Sequence, residues 1–171
     1  PTLTLTDAPT FDHRGVMLDV SRHFAPVPEV LRWIELAAMH RLNRLHLHLT
    51  DDQGWRLPSH AYPALAEVAS WRPASWVGHS RGIEAEDPTR LDDTPHGGHY
   101  SFEDLREIST HARRHGITII PEVDLPGHAS ALLAAIPELA VPGTPPQQVA
   151  TRWGLLGRTI SPLPDAAGVI E

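Results

Sequence analysis

The sequence predicts an α/β fold built on a parallel sheet with crossover helices. Three short apolar runs have the length of buried strands, and stretches with the apolar spacing of helices separate them along the chain. This alternation is typical of two architectures, an open doubly wound sheet and part of a (β/α)8 barrel. No glycine-rich phosphate loop follows any of the runs, which argues against a dinucleotide-binding sheet. Since a whole barrel takes about 250 residues, the 171 residues leave room for three or four βα units.

The first part of the chain is predicted to form a strand, a helix and a second strand. Residues 1–13 are expected to be an extended lead-in segment, and the apolar run 15–20 follows as the first strand. From Glu29 to His40 the apolar residues recur at helical spacing, and Pro28 suits the first helical turn. The apolar run 43–49 predicts the second strand.

A long polar stretch and a second helix are predicted in the middle of the chain. Residues 73–99 are rich in Gly, Pro, Asp and His, which indicates a long surface loop. Ser101 is a favourable N-cap residue and Asp104 lies three residues further on, so we expect a helix over 102–115. Gly116 should end that helix.

The last part of the chain is predicted to start with a third strand, over 117–123. A short helix is expected over 129–136, and residues 141–158 are expected to form a second long loop. Asp165 is a candidate start for one more helix.

Composition excludes several classes of protein. The chain has no Cys, so disulfides, zinc–thiolate sites and a Cys nucleophile are excluded. The formal net charge of -7 argues against a nucleic-acid partner, which needs a clustered positive field. No apolar run reaches the roughly 18 residues of a membrane span. No signal peptide is visible, and the compartment stays open, with a secreted or periplasmic location favoured.

Each predicted strand ends in a cluster of polar residues. Ser21–His23 stand at the end of the first strand and Thr50–Gln53 at the end of the second. The third strand ends in Glu122, Val123 and Asp124, and His128 follows shortly after. The carboxyl ends of the strands carry the active site in α/β barrels. Three consecutive polar clusters at this end are hard to explain by packing alone, so they indicate a functional site.

Two readings are open for the carboxylates and for His128. Asp51 and Asp52 either cap the next segment or direct a carboxylate into the barrel mouth, and neighbours on a strand face opposite sides, so we do not expect them to share a role. His128 is either a loop histidine or an imidazole that Asp124 holds, which would fix its tautomer and raise its basicity.

Arg22 and two neighbouring histidines also allow two readings. Arg22 is either a surface charge or a set of N–H donors for sugar hydroxyls or an anionic group. His46 and His48 share one face of a strand, as in short HxH metal motifs. Because HxH is short and frequent, we interpret them as core or interlayer histidines, and we predict no metal site and no cofactor.

Four motifs occur in one order along residues 13–128. They are His13–Phe24, His46–Arg56, Gly97–Tyr100 and Pro121–His128. With these motifs the chain resembles the family 20 glycoside hydrolases, the β-N-acetylhexosaminidases. The resemblance implies that residues 1–171 are the N-terminal portion of a catalytic (β/α)8 domain and supply about its first three βα units. It implies a carbohydrate substrate with a terminal β-linked N-acetylhexosamine, hydrolysed with retention by the substrate's own 2-acetamido group.

The resemblance also implies roles for single residues. Arg22 is expected to bind ring hydroxyls of the sugar. Asp51 and His128 are expected to hydrogen-bond towards the catalytic acid and to tune it. Asp124 is expected to support His128, and Glu122 is a further supporting residue.

Four further residues are expected to be structural. Arg14 and Asp19 should tie the first strand into the barrel. Trp55 and Arg56 should shape the wall beneath the site without touching the substrate.

The chain departs from the family pattern at the catalytic centre. The family carries an adjacent Asp–Glu pair at the end of the fourth strand, and no Asp-Glu dipeptide occurs in these 171 residues. The chain therefore resembles a truncated barrel, and we expect it to be inactive and poorly folded or associated on its own. Two alternatives are a metal-dependent carbohydrate deacetylase and a non-catalytic sugar-binding module.

Overall fold

A computed structural model describes residues 2–78, 88–154 and 156–162. These residues form an α/β arrangement of strands and helices. In chain order the elements are β1 (Gly15–Asp19), α1 (Val27–Met39), β2 (Arg44–His48), β3 (Thr50–Asp51), β4 (Gly54–Trp55), α2 (Ala64–Glu67), β5 (Trp71–Arg72), β6 (His96–Gly97), α3 (Phe102–Arg114), β7 (Thr118–Glu122) and α4 (Ser130–Ala135), with short 3-10 helices at Pro88–Arg90 and Pro137–Leu139.

The main sheet is parallel, and its three strands lie in the order β1-β2-β7. The register pairs Asp19 with His48 and His48 with Glu122, so the last residues of all three strands lie side by side. The predicted alternation of strands and helices is confirmed. The second strand is shorter than the predicted 43–49, because it ends at His48 and the chain then turns into the antiparallel β3–β4 pair.

Alternation of side chains divides the sheet into two faces. Leu45 and Leu47, which are 0% and 1% exposed, pack with α1 and α3. The two helices contribute buried Val30, Ile34 and Ile108 to this core. Complete burial of one such side chain stabilises a fold by about 1.5–3 kcal/mol. On the opposite face Met17 is 52% exposed.

The helix termini follow the sequence signals. The side chain of Ser101 accepts a hydrogen bond from the amide of Asp104, and Asp104 accepts one from the Ser101 amide, so α3 starts with a capping box. Gly116 follows the helix with φ of 70°, a conformation that favours glycine. α1 starts at Val27, two residues before the predicted Glu29, with Pro28 in its first turn.

The two predicted loops contain more order than their composition indicates. In the loop predicted over 73–99, β6 pairs with β5, and residues 79–87 lie outside the described ranges. In the loop predicted over 141–158, the amide of Ala150 donates to the carbonyl of Asp52. The helix start proposed at Asp165 lies outside the described residues.

A second apolar cluster fixes the region after β7. It includes Leu65, Leu132, Leu133 and Val149, all buried, with Trp55 packed against it. This cluster holds α4 and the segment before it beside the β3–β4 pair. Within the described ranges, no helix is long and apolar enough to cross a membrane.

Candidate functional site

The side chains at the carboxyl ends of β1, β2 and β7 converge on one buried carboxylate, that of Asp51. Asp51 is 1% exposed. One of its oxygens, Oδ2, contacts Nη2 of Arg22 and lies 2.8 Å from Nε2 of His48. The other, Oδ1, lies 3.0 Å from Nδ1 of His128 and accepts from the Asp52 amide at 2.7 Å.

Four donors keep Asp51 charged in spite of its burial. Burial alone would raise the pKa of this carboxyl, but hydrogen bonds from His48 and from the Asp52 amide, together with the charges of Arg22 and His128, lower the pKa below its ordinary value. The negatively charged form of Asp51 is therefore favoured at the centre of the site.

Arg22 is fixed from three sides. Its Nη1 donates to Asp19 at 2.9 Å, its Nε donates to Gln53 at 3.1 Å, and its Nη2 contacts Asp51. The Arg22 side chain is still 29% exposed. Because a guanidinium has five N–H donors and the described contacts use three, Arg22 retains donors for a ligand. The Arg22 side chain is thus held in place by its neighbours, and its role in binding stays a prediction.

The imidazole of His128 lies between two carboxylates. Its Nδ1 is 3.0 Å from Oδ1 of Asp51 and 3.2 Å from Oδ2 of Asp52. The prediction that Asp124 holds this imidazole is wrong, because among the described residues its carboxylate partners are Asp51 and Asp52. Asp124 instead has its amide hydrogen-bonded to Thr50 Oγ1 at 2.9 Å, and its carboxylate lies close to His48 and Asp51.

Asp52 also accepts hydrogen bonds at the start of α4. Its Oδ1 accepts from the amide of Ser130 at 2.9 Å and from the Ser130 hydroxyl, at the first residue of α4. The carboxylates of Asp51 and Asp52 both lie near His128, but Asp52 caps the next helix whereas Asp51 contacts Arg22 and His48. That the two aspartates do not share a role stays a prediction.

His48 is the main residue that the sequence interpretation missed. It is 4% exposed, and its Nε2 and Nδ1 each lie 2.8 Å from a carboxylate oxygen, of Asp51 and of Glu122 respectively. The hydrogen bond with Asp51, opposed by burial and assisted by the hydrogen bond with Glu122, raises the pKa of His48 to about 9. The side chain is therefore an imidazolium at neutral pH.

Glu122 joins the two histidines of β2. Its Oε2 lies 2.6 Å from Nε2 of His46 and 2.8 Å from Nδ1 of His48. The hydrogen bond with His48 lowers the pKa of Glu122. His46, which we interpret from the sequence as a core or interlayer histidine, has a side chain that is 38% exposed. The signal in the sequence that could have indicated His48 is its spacing of three residues from Asp51.

Arg56 holds together the backbone segments beside the site. It is fully buried, and its guanidinium donates to four backbone carbonyls, those of Val20, Ser21, Ser70 and Gly98. Burial lowers its pKa to about 10. Two of these carbonyls follow β1 and one lies in the Gly97–Tyr100 motif, so Arg56 ties the segment that carries Arg22 to the middle loop.

Two overlapping groups in the site have ligand atoms close enough for a cation. They are His48, Asp51 and Asp124, and Asp51, Asp52 and His128. Both groups depend on Asp51, whose oxygens already contact the Arg22 guanidinium and both imidazoles. A divalent ion would have to displace the Arg22 guanidinium or lie beside its positive charge. These side chains therefore do not favour a metal.

A family model matches most of the chain. The model for glycosyl hydrolase family 20, catalytic domain, matches residues 11–167. The chain belongs to glycosyl hydrolase family 20. The resemblance drawn from the four sequence motifs is thereby confirmed.

Curated members of family 20 are similar over most of this chain. A beta-hexosaminidase of Vibrio furnissii is 41% identical over 138 residues, which are 81% of this chain and 21% of that protein. A beta-hexosaminidase of Akkermansia muciniphila is 40% identical over 154 residues, which are 90% of this chain and 28% of that protein. The chain thus spans less than a third of the length of these relatives.

Solved family 20 structures have the same fold over this region. A crystal structure of a beta-N-acetylhexosaminidase matches with a TM-score of 0.83 and 38% identity, over 96% of this chain and 32% of that one. A mutant Streptomyces plicatus beta-hexosaminidase in complex with product GlcNAc matches with a TM-score of 0.77 and 32% identity, over 96% of this chain and 29% of that one.

Proposed function

We propose that the protein carrying this chain hydrolyses terminal β-linked N-acetylhexosamine residues with retention, and that this chain supplies the sugar-anchoring and acid-tuning part of the site. The observation that supports this best is the convergence of Arg22, His48 and His128 on the buried carboxylate of Asp51. The membership of family 20, and the names of the relatives, support the substrate class.

Arg22 is proposed to bind hydroxyls of the terminal sugar ring. Its side chain is partly exposed, and contacts with Asp19, Gln53 and Asp51 hold it in one orientation. An N–H donor that is already oriented loses little conformational freedom when it binds a sugar hydroxyl, which favours affinity.

His128 is proposed to connect Asp51 with the catalytic acid. Its Nδ1 faces the two carboxylates, so its Nε2 is the ring atom left for a further hydrogen bond. A carboxylate that accepts from one ring nitrogen fixes the tautomer and the orientation of the imidazole. In this arrangement the charge of Asp51 adjusts the pKa of the acid through His128, while Glu122 at the end of β7 and Asp124 just after it support the group.

The reaction is proposed to use the substrate's own 2-acetamido oxygen as nucleophile. This oxygen would attack the anomeric carbon while the acid protonates the leaving oxygen, and water would then open the cyclic intermediate with overall retention. The Asp–Glu pair that this scheme needs is absent from these 171 residues. The isolated chain is therefore expected to be inactive.

The test is an assay of the protein expressed from its whole reading frame against an aryl β-N-acetylglucosaminide. We expect turnover with the β-anomer as first product, which proton NMR detects. Arg22→Ala should raise KM strongly, and Arg32→Ala, on the surface of α1, should change it little. An α-anomeric first product, or turnover by the 171-residue chain alone, would contradict the proposal.

Two other functions predict different results. A metal-dependent deacetylase would lose activity with a chelator and would release acetate rather than an aryl alcohol. A non-catalytic sugar-binding module would bind N-acetylglucosamine without turnover by any form of the protein. Sequencing the coding DNA beyond residue 171 separates the last case, since an Asp–Glu pair encoded after a further helix and strand supports the glycosidase.

A further inference from the structure

A second group of metal-ligating side chains lies away from the candidate site, on the outer surface of the helices. Glu35 is in α1, His111 is in α3, and His115 is the C-cap residue of α3. One ligand atom from each lies within 4.8 Å of the other two. We propose that Glu35, His111 and His115 bind a divalent transition-metal ion of the Zn²⁺ class and thereby bridge α1 and α3.

The spacing on α3 brings the two imidazoles together. Residues four apart on a helix lie on the same face, and the rings of His111 and His115 have centroids 4.3 Å apart. Glu35 follows the buried Ile34, and His111 precedes the buried Ala112, so both side chains lie at the edge of the seam where the two helices pack. The core of the protein therefore fixes their relative position.

The distance between the ligand atoms on α1 and α3 suits two ligands of one metal ion better than a hydrogen bond between them. Nε2 of His111 lies 3.3 Å from Oε1 of Glu35. This Nε2 is shielded from solvent and makes no hydrogen bond within the described structure, so the contact with Glu35 is close without being a well-formed bond. Tetrahedral zinc with bonds of about 2.0–2.2 Å places neighbouring ligand atoms about 3.3–3.5 Å apart.

The backbone orients the third ligand. Nδ1 of His115 lies 2.9 Å from the carbonyl oxygen of His111. Since only an N–H can donate to that carbonyl, the neutral ring has its lone pair on Nε2. Metal-ligating histidines commonly use this arrangement, in which the other ring nitrogen donates to a backbone carbonyl.

The accessibility and charge of the group suit an added ion. The side chain of Glu35 is 52% exposed and that of His111 is 22% exposed, so the group lies at the protein surface even though Nε2 of His111 is itself covered. Three protein ligands and one water complete a tetrahedron. The surface pocket beside His111 is lined by two arginines and two glutamates, Arg106, Arg114, Glu103 and Glu107, so their formal charges balance.

The experiment measures Zn²⁺ binding by the chelator-stripped protein expressed from its whole reading frame, by isothermal titration at pH 7.5 and by thermal unfolding with and without the ion. We expect a Zn²⁺ equivalent that raises the melting temperature. His115→Ala should abolish it, and Glu35→Gln should weaken it by about tenfold or more. His40→Ala, at the exposed end of α1, is the matched control and should bind as the wild type does.

A further variant separates this group from the candidate site. Asp51→Asn removes the carboxylate shared by both acidic groups there, and it should leave the Zn²⁺ equivalent of the helix site in place. Far-UV circular dichroism establishes that each variant is folded. If the wild type binds no Zn²⁺, or if folded His115→Ala binds it equally well, the proposal is wrong.

Discussion

Nε2 of His48 lies 2.8 Å from Oδ2 of Asp51, in a part of the sheet where both side chains are almost fully shielded from water. The Asp51 carboxylate therefore contacts the imidazolium of His48 in addition to Arg22 and His128. This pair links the parallel sheet to the candidate site, because His48 is the last residue of β2.

His48 should make stability depend on pH in the alkaline range. Its pKa is raised from 6.5 to about 9 in the folded protein. Its contribution is thus complete below pH 6.5 and is lost as the pH rises towards 9. We expect the free energy of unfolding to fall over this range by on the order of 1–3 kcal/mol. Urea denaturation at several pH values measures it.

The control for this prediction is His48→Gln, which removes the titrating group. The alkaline decrease should become much smaller in that variant, whereas His40→Gln, on the surface, should keep the wild-type decrease. An identical pH profile for His48→Gln and the wild type would show that His48 is not the group responsible.

Asp51→Asn should be strongly destabilising. The substitution leaves the charges of Arg22 and His48 facing a neutral amide, and removal of one partner from a buried ion pair costs about 3–5 kcal/mol. Asp124→Asn is the matched change just after the neighbouring strand β7, and we expect it to cost less than about 1 kcal/mol. Equal losses in the two variants, by chemical denaturation, would contradict the central position of Asp51.

Arg56→Lys should not preserve stability. The guanidinium donates to four carbonyls at once. A lysine ammonium has three N–H donors and cannot form the same set of hydrogen bonds. We expect a loss of about 2–4 kcal/mol from the unsatisfied carbonyls. The thermal midpoint measures the effect. Arg32→Lys, on the surface of α1, should leave the midpoint unchanged within error.

Ser101→Ala should weaken the start of α3. It removes the side-chain half of the capping box, which is worth about 0.5–2 kcal/mol. The matched control is Ser109→Ala in the same helix, where the hydroxyl bonds back to the carbonyl of Leu105. That bond adds little to a helix, so the control should be neutral. A larger loss for Ser109→Ala than for Ser101→Ala would refute the assignment.

Much of the fold could be predicted because local signals decide it. Ser101 and Gly116 bound α3 through capping and through a positive φ, both of which depend on neighbours in the sequence. Leu45 and Leu47 are buried because their strand is covered by helices on that face. By contrast, the early end of β2 at His48 depends on how β3 pairs with β4, which no local pattern reveals.

The candidate site could be predicted only as a set of residues, without its pairings. Arg22, Asp51 and His128 do converge. The partner of His128 was assigned to Asp124 because the two are near in sequence, whereas Asp51 and Asp52 reach it from 77 and 76 residues away. His48 was missed because its role depends on the register that places it beside Glu122.

The alternation of side chains between the two faces of β2 also restricts which mutations this strand tolerates. His46 and His48 face the polar side of the sheet, while Leu45 and Leu47 face the helices. Loss of a single codon within this strand would exchange the two sets and bring leucines against Glu122. Single substitutions in β2 therefore keep its two faces, whereas insertions and deletions within the strand exchange them. Changes in chain length are expected in the surface loops instead.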